Sequence, residues 1–136
     1  FVDYQRQIVR NAKTLAQGLL DKGFRLVSGG TDNHLMLLDL RNSELTGKVA
    51  QETLEAARIT VNRNAVPFDT RSPFVTSGVR IGTPAVTTRG MKEPEMKLIA
   101  DLIARALNKV GDQKALASIG DEVTDLCKKF PLDLPE

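Results

Sequence analysis

Arg80 stands between Gly78 and Gly82 in the run Ser72-Pro73-Phe74-Val75-Thr76-Ser77-Gly78-Val79-Arg80-Ile81-Gly82-Thr83-Pro84. A guanidinium is a planar fork that takes a carboxylate or phosphate through two parallel hydrogen bonds. Flanking glycines let a ligand or another backbone come close. A solvent-facing arginine on a strand gives the same local pattern. The spacing alone leaves both readings open.

Other groups with chemical potential are sparse. His34 is the single histidine, beside Asp32 and Asn33, with no cysteine or second histidine at ligand spacing. It reads as a hydrogen-bonded turn residue. Cys127 falls on an apolar helical stripe, where burial leaves a thiol inert. Ser28-Gly29-Gly30-Thr31 leads into a strand and not a helix N-terminus, so it lacks the geometry of a phosphate loop. Asn62 and Asn64 either close a strand or offer amides to a polar ligand edge. Ser72 and Ser77 have no nearby histidine to activate them. Neither a metal cluster nor a paired-carboxylate motif stands out. The chain supplies recognition groups, not a complete catalytic set.

These groups need elements to position them. Ile8, Ala12, Leu15, Ala16 and Leu19 recur at helical spacing, predicting a helix over about 2–22 with a stop at Gly23. It has no evident N-cap, as expected of a chain that continues upstream. Phe24–Val27 and Leu35–Leu40 read as two strands of a hairpin-like unit, the second central or covered on both faces. Thr46 caps a helix to about Arg58, with Leu45 and Ala50 as a hydrophobic staple. Ile59-Thr60-Val61 reads as a β-branched strand.

The run 62–77 has neither helical nor strand period and contains Pro67 and Pro73. Irregular segments of that length tend to be functional or disordered. Val66, Phe68, Phe74 and Val75 make it too apolar for a solvated linker, which marks it as the clearest pointer to a site. Val79-Arg80-Ile81 follows as a strand with Arg80 facing away from its neighbours. A helix from about Pro94 carries Met96, Ile99, Ala100, Ile103, Leu107 and Val110, stopping at Gly111. A last helix places Leu116, Ile119, Val123, Leu126, Cys127 and Phe130 on one face. The expected class is α/β, in the two-layer α+β sense: a small, mostly antiparallel sheet with helices on one face.

At 136 residues the chain suits a single domain that buries roughly two thirds of its unfolded surface. A net charge of +2, with no basic stripe, gives no nucleic-acid footprint. The absence of Trp and scarcity of other aromatics remove base-stacking platforms. One cysteine excludes an internal disulfide and makes a reducing, intracellular setting the default. No apolar run approaches the ~18 residues of a membrane span. The start at Phe1, inside a helical pattern, reads as a piece of a longer protein.

Ser28–His34, Leu45-Thr46-Gly47-Lys48, Ile59-Thr60-Val61-Asn62-Arg63-Asn64, Ser72-Pro73-Phe74 and Thr76–Pro84 occur in an order and at spacings that closely resemble the C-terminal small domain of serine hydroxymethyltransferase, a fold-type I pyridoxal-phosphate family. The resemblance covers essentially the whole chain, 1–136, with residues 1–22 continuing from a large domain upstream. It implies reversible conversion of serine and tetrahydrofolate to glycine and 5,10-methylenetetrahydrofolate by a cytoplasmic homodimer using pyridoxal 5'-phosphate. It gives Arg80 the amino-acid carboxylate, and Ser72, Pro73, Phe74 and Asn64 part of the folate site. The family's Thr-rich run ending in His-Lys, its pyridinium aspartate and its phosphate ligands are absent, so no catalytic or cofactor-binding residue is expected here. The chain alone is expected to be inactive. Neither a nucleic acid nor a membrane is expected as partner. The alternatives are the small domain of another pyridoxal-phosphate enzyme, such as a threonine aldolase, or a stand-alone binding module.

Overall fold

The computed structural model describes residues 2–27, 35–83, 86–87 and 89–131. Helix α1 (Val2–Asp21) leads to strands β1 (Arg25–Leu26) and β2 (Leu35–Asp39). Helix α2 (Gly47–Ala56) precedes β3 (Asn62–Asn64) and β4 (Gly78–Gly82), and helices α3 (Glu93–Leu107) and α4 (Gln113–Lys129) follow. The strands form one sheet in the order β1-β2-β4-β3, with every pairing antiparallel. This is the expected two-layer α+β arrangement. His34, Ser28-Gly29-Gly30-Thr31 and Pro84 lie outside the described residues.

Alternation along the strands separates the two sheet faces. Leu26, Met36, Leu38, Val79 and Ile81 are buried in one cluster with Leu15 of α1, Leu54 of α2 and Ile103 of α3. Their neighbours Leu35, Arg80 and Gly82 are exposed on the opposite face, so the helices cover one side of the sheet only. β2 is central, as expected, but it is not covered on both faces: Leu35 is exposed and Leu37 half-buried.

Local chemistry sets the helix ends. Thr46 Oγ1 accepts the Val49 N–H at 3.1 Å, the capping bond its position predicts, and both Leu45 and Ala50 pack into the core. Pro94 sits in the first turn of α3 between Glu93 and Glu95, where a missing N–H is harmless and negative charge meets the positive helix end. Asp112 caps α4 by accepting the Ala115 N–H at 3.0 Å.

Three boundaries differ from expectation. β1 spans only Arg25–Leu26. β3 is Asn62–Asn64 instead of 59–61, because Ile59 and Val61 are drawn into the core while the next three residues pair with β4. Val110 is 45% exposed, since α3 ends at Leu107 with Asn108 as its C-cap and Val110 falls in the turn beyond.

A buried polar chain bolts α1 to the segment leaving β4. Asn11 is fully buried. Its Oδ1 accepts Gln7 Nε2 at 2.8 Å, and its Nδ2 donates to Thr87 Oγ1 at 2.8 Å and the Met91 carbonyl at 2.9 Å. Thr87 Oγ1 donates to the Thr83 carbonyl at 2.7 Å, and Thr83 Oγ1 donates to the Ile8 carbonyl at 3.0 Å. Every polar atom of Asn11 is thereby used, as burial demands.

Candidate functional site

Arg80 occupies the middle of β4, with Leu37 of β2 on one side and Asn62 of β3 on the other. It is exposed on the helix-free face, and it is the sole cation on the two central strands. Its guanidinium forms no ion pair or hydrogen bond with another described residue. The sheet therefore holds its backbone from both sides while the guanidinium stays open to a ligand. Asn64 pairs with Gly78 two residues earlier and so shares the Arg80 face. It is half-buried, and its Nδ2 donates to its neighbour's Ala65 carbonyl at 2.9 Å.

Gly78 is required by close approach. A Cβ there would lie 2.6 Å from the Asn64 carbonyl oxygen and 2.8 Å from Val66 Cγ1. The neighbour that comes close is thus the protein's own β3 edge, one of the two possibilities the sequence left open.

The connection 65–77 is irregular, yet heavily bonded. Asp69 organises it. Its Oδ1 accepts the Arg71 N–H at 2.9 Å and the Ser77 hydroxyl at 2.8 Å. Its Oδ2 accepts the Val66 N–H at 3.2 Å and the Ser77 N–H at 2.7 Å. Burial works against the charged form, but the hydrogen bonds from Arg71, Ser77 and Val66 outweigh it and hold the Asp69 pKa at about 2. One carboxylate thus joins the residues just after β3 to the residue just before β4.

Two arginines tie the same loop to the β2–α2 connector. Arg41 grips Asp39 with Nε at 3.0 Å and Nη2 at 2.6 Å and donates from Nη1 to the Pro67 carbonyl at 3.1 Å. That fork, opposed by burial, lowers the Asp39 pKa. Arg71 donates to the carbonyls of Leu45 at 2.9 Å and Ser43 at 3.1 Å. The far end of the loop seats on α2: the Gly47 and Lys48 N–H groups donate to the carbonyls of Thr76 at 3.0 Å and Val75 at 2.9 Å. These carbonyls satisfy donors that every helix start leaves unpaired. A Cβ at Gly47 would sit 2.1 Å from Thr76 Oγ1, so only glycine permits the contact.

The loop displays what it does not bury. Ser72, Pro73 and Phe74 are exposed, Phe74 by 79% and Phe68 by 96%. Val66 is buried as its apolar character suggests, whereas the two phenylalanines are not. Phe68 (φ 57°) and Thr76 (φ 59°) hold left-handed backbone, which costs a non-glycine residue about 1–3 kcal/mol. Thr76 has compensation: its N–H donates to the Ser72 carbonyl at 2.9 Å, and its own carbonyl receives Gly47.

The sheet and its loop thus bring Arg80, Asn62 and Asn64 to one face and expose Ser72–Phe74 on the connection between their strands. Cavities of about 580 Å³ between α1 and α3 and about 320 Å³ beneath α4 lie elsewhere and include none of Arg80, Asn64, Ser72, Pro73 or Phe74 in their walls. The candidate site is an open surface. Every lysine among the described residues is exposed on a helix or at a helix end. Cys127 is half-buried on α4. Among the described residues no three His, Cys, Asp or Glu are placed to hold a metal ion, and no helix is long and apolar enough to cross a membrane.

Asp69, Arg41 and Arg71 carry no role in the sequence pattern, and Gly47 stands there only as part of the motif Leu45-Thr46-Gly47-Lys48. Asp69 had one available signal: an aspartate two residues after a proline, in a loop, is a natural acceptor for nearby backbone N–H groups. The reach of the two arginines has no local signature.

A family model described as serine hydroxymethyltransferase matches residues 1–103. The match takes in α1, the whole sheet, α2, the Asp69-centred loop and most of α3, that is, every element that positions Arg80. The chain belongs to the serine hydroxymethyltransferase family.

Proposed function

We propose that this chain is the C-terminal small domain, 1–136, of an enzyme that reversibly converts serine and tetrahydrofolate to glycine and 5,10-methylenetetrahydrofolate. Arg80 binds the amino-acid carboxylate. Ser72, Pro73, Phe74 and Asn64 line part of the folate site. The observation that carries the reading is Arg80 itself: an arginine whose backbone is held in a central strand and whose side chain is exposed on the face the helices leave open.

The residues present do not fit pyridoxal phosphate. Its covalent attachment needs a lysine held inside a site, and the lysines here are exposed on helices or at their ends. In this reading the cofactor, which supplies the electron sink for the reaction, is held by a large domain of the same enzyme, a cytoplasmic homodimer. The contribution of this chain is positional. A carboxylate gripped at both oxygens fixes the orientation of the substrate's Cα substituents, and a fixed orientation lowers the entropic part of the barrier. The exposed surface around Arg80 suits one wall of a cleft shared with another domain.

The test is serine binding by the complete enzyme carrying Arg80→Ala. Weakened serine binding with the cofactor still bound is expected; serine affinity equal to wild type overturns the assignment. A second test uses the isolated chain. Incubated with pyridoxal phosphate and dialysed without reduction, it should show no aldimine band near the visible; a band that survives dialysis overturns the assignment of the cofactor to another domain.

A further inference from the structure

Arg80 and the Ser72–Phe74 segment are held by different devices. Arg80 sits within a ladder of five residue pairs to β2 and three to β3. Ser72–Phe74 belongs to no strand. Its position depends on a turn whose Ser72 carbonyl accepts the Val75 and Thr76 N–H groups. At its C-terminal end that turn is anchored by α2, whose first N–H groups donate to the Val75 and Thr76 carbonyls, and Asp69 holds the residues on either flank: Arg71 through its N–H, and Ser77 through both its N–H and its hydroxyl.

Asp69 does not behave as a surface carboxylate. Its acceptor sites take four donors, all from its own loop, which is the full capacity of a carboxylate. The Arg71 guanidinium, two residues away, does not pair with it and reaches instead to Ser43 and Leu45. The acid is committed to geometry.

Resting on the folate reading above, we infer that Asp69 is a positioning residue for the folate-facing segment: it fixes Ser72–Phe74 by clamping Ser77 and Val66, without fixing Arg80. The consequence is a separation of the two ligands. Loss of the Asp69 clamp releases the folate wall, while the sheet keeps the carboxylate fork in place.

Asp69→Asn is the discriminating substitution. The amide has the same shape but turns one acceptor oxygen into an NH₂ donor, which then faces backbone N–H groups. In the complete enzyme with cofactor bound, tetrahydrofolate and serine are titrated separately by calorimetry. The expected result is a rise of about tenfold or more in the tetrahydrofolate Kd, the effect of losing a bond or two to a charged acceptor, with the serine Kd within about twofold of wild type. Equal losses for both ligands mean a general structural role and overturn the inference, as does an unchanged tetrahydrofolate Kd. If Asp69→Asn yields no folded enzyme, Ser77→Ala decides, since it deletes only the hydroxyl bond. A rise of roughly threefold in the tetrahydrofolate Kd supports the clamp, and no rise overturns it. Phe74→Ala separates the two layers of the argument. Folate binding unaffected by Phe74→Ala removes the folate reading itself. Folate binding weakened by Phe74→Ala but untouched by Asp69→Asn removes only the role of Asp69.

Discussion

Asn62 lies directly across the β3–β4 ladder from Arg80, and both are exposed on the face without helices. Side chains opposite each other on antiparallel strands stand about 4.5–5.5 Å apart at Cβ, so an amide and a guanidinium address the same ligand space. Arg80→Ala should leave folding stability within about 0.5 kcal/mol of wild type, because an exposed, unbonded side chain is removed. Serine affinity should fall by about 2–5 kcal/mol, the range for truncating one member of a hydrogen-bonded charge pair. Arg80→Lys should recover only part of that loss, since an ammonium keeps the charge and loses the fork. Urea unfolding and serine titration of the same variants check both halves.

Gly78→Ala tests the close approach of β3. The added Cβ meets the Asn64 carbonyl at 2.6 Å and Leu37 Cδ1 at 3.0 Å. The leucine has room to rotate, but the carbonyl is backbone of the strand that pairs with β4. The variant should be destabilised by about 1–3 kcal/mol, as for other overpacked sites. Hydrogen exchange should show the loss concentrated in the β3–β4 ladder, with β2–β4 protection retained.

Asn11 offers a contrast between deleting and inverting a buried partner. Asn11→Ala leaves the Met91 carbonyl without its Nδ2 donor, at a cost of about 1–3 kcal/mol. Asn11→Asp should cost more at neutral pH. It places a carboxylate oxygen against the Met91 carbonyl in a site with no water access, and burial raises the cost of the charge. Melting temperatures of both variants across pH give the order, and the aspartate variant should recover toward low pH as the new acid protonates.

Legibility in the sequence tracked the range of the interactions. The order of helices and strands followed from periodicity and caps such as Thr46 and Pro94, where the cause lies within one turn. β3 lies three residues beyond the β-branched run Ile59-Thr60-Val61, because Ile59 and Val61 go to the core and it is 62–64 that pair with β4, a strand distant in sequence. The site divided in the same way. Arg80 could be placed on a strand and on its exposed face from its neighbours alone, while the family motifs supplied its proposed partner. Asp69, Gly47 and the arginines that lash the loop to Ser43, Leu45 and Pro67 act across contacts that no spacing rule encodes. The exposure of Phe68 and Phe74 ran against composition, which places aromatic side chains inside.

Acid should unfasten this loop in a defined window. The folded-state pKa of Asp69 is held at about 2, below its ordinary value of 3.8, and the Arg41 fork lowers that of Asp39 as well. A depressed carboxylate contributes stability that is complete above the unfolded-state pKa and is lost as pH falls through the folded one. For Asp69 that loss runs from about pH 4 to about pH 2. The Asp69→Asn variant cannot titrate there, so its stability deficit relative to wild type should be constant above about pH 5 and shrink steadily below pH 4. Solvent reaches Asp69, a half-buried group, and screening makes the change smaller than a fully buried carboxylate would give. Urea midpoints of the two proteins, measured from neutral pH downward, report it directly. A deficit that stays constant to pH 2 would show that the clamp works through shape alone, with no contribution from the Asp69 charge.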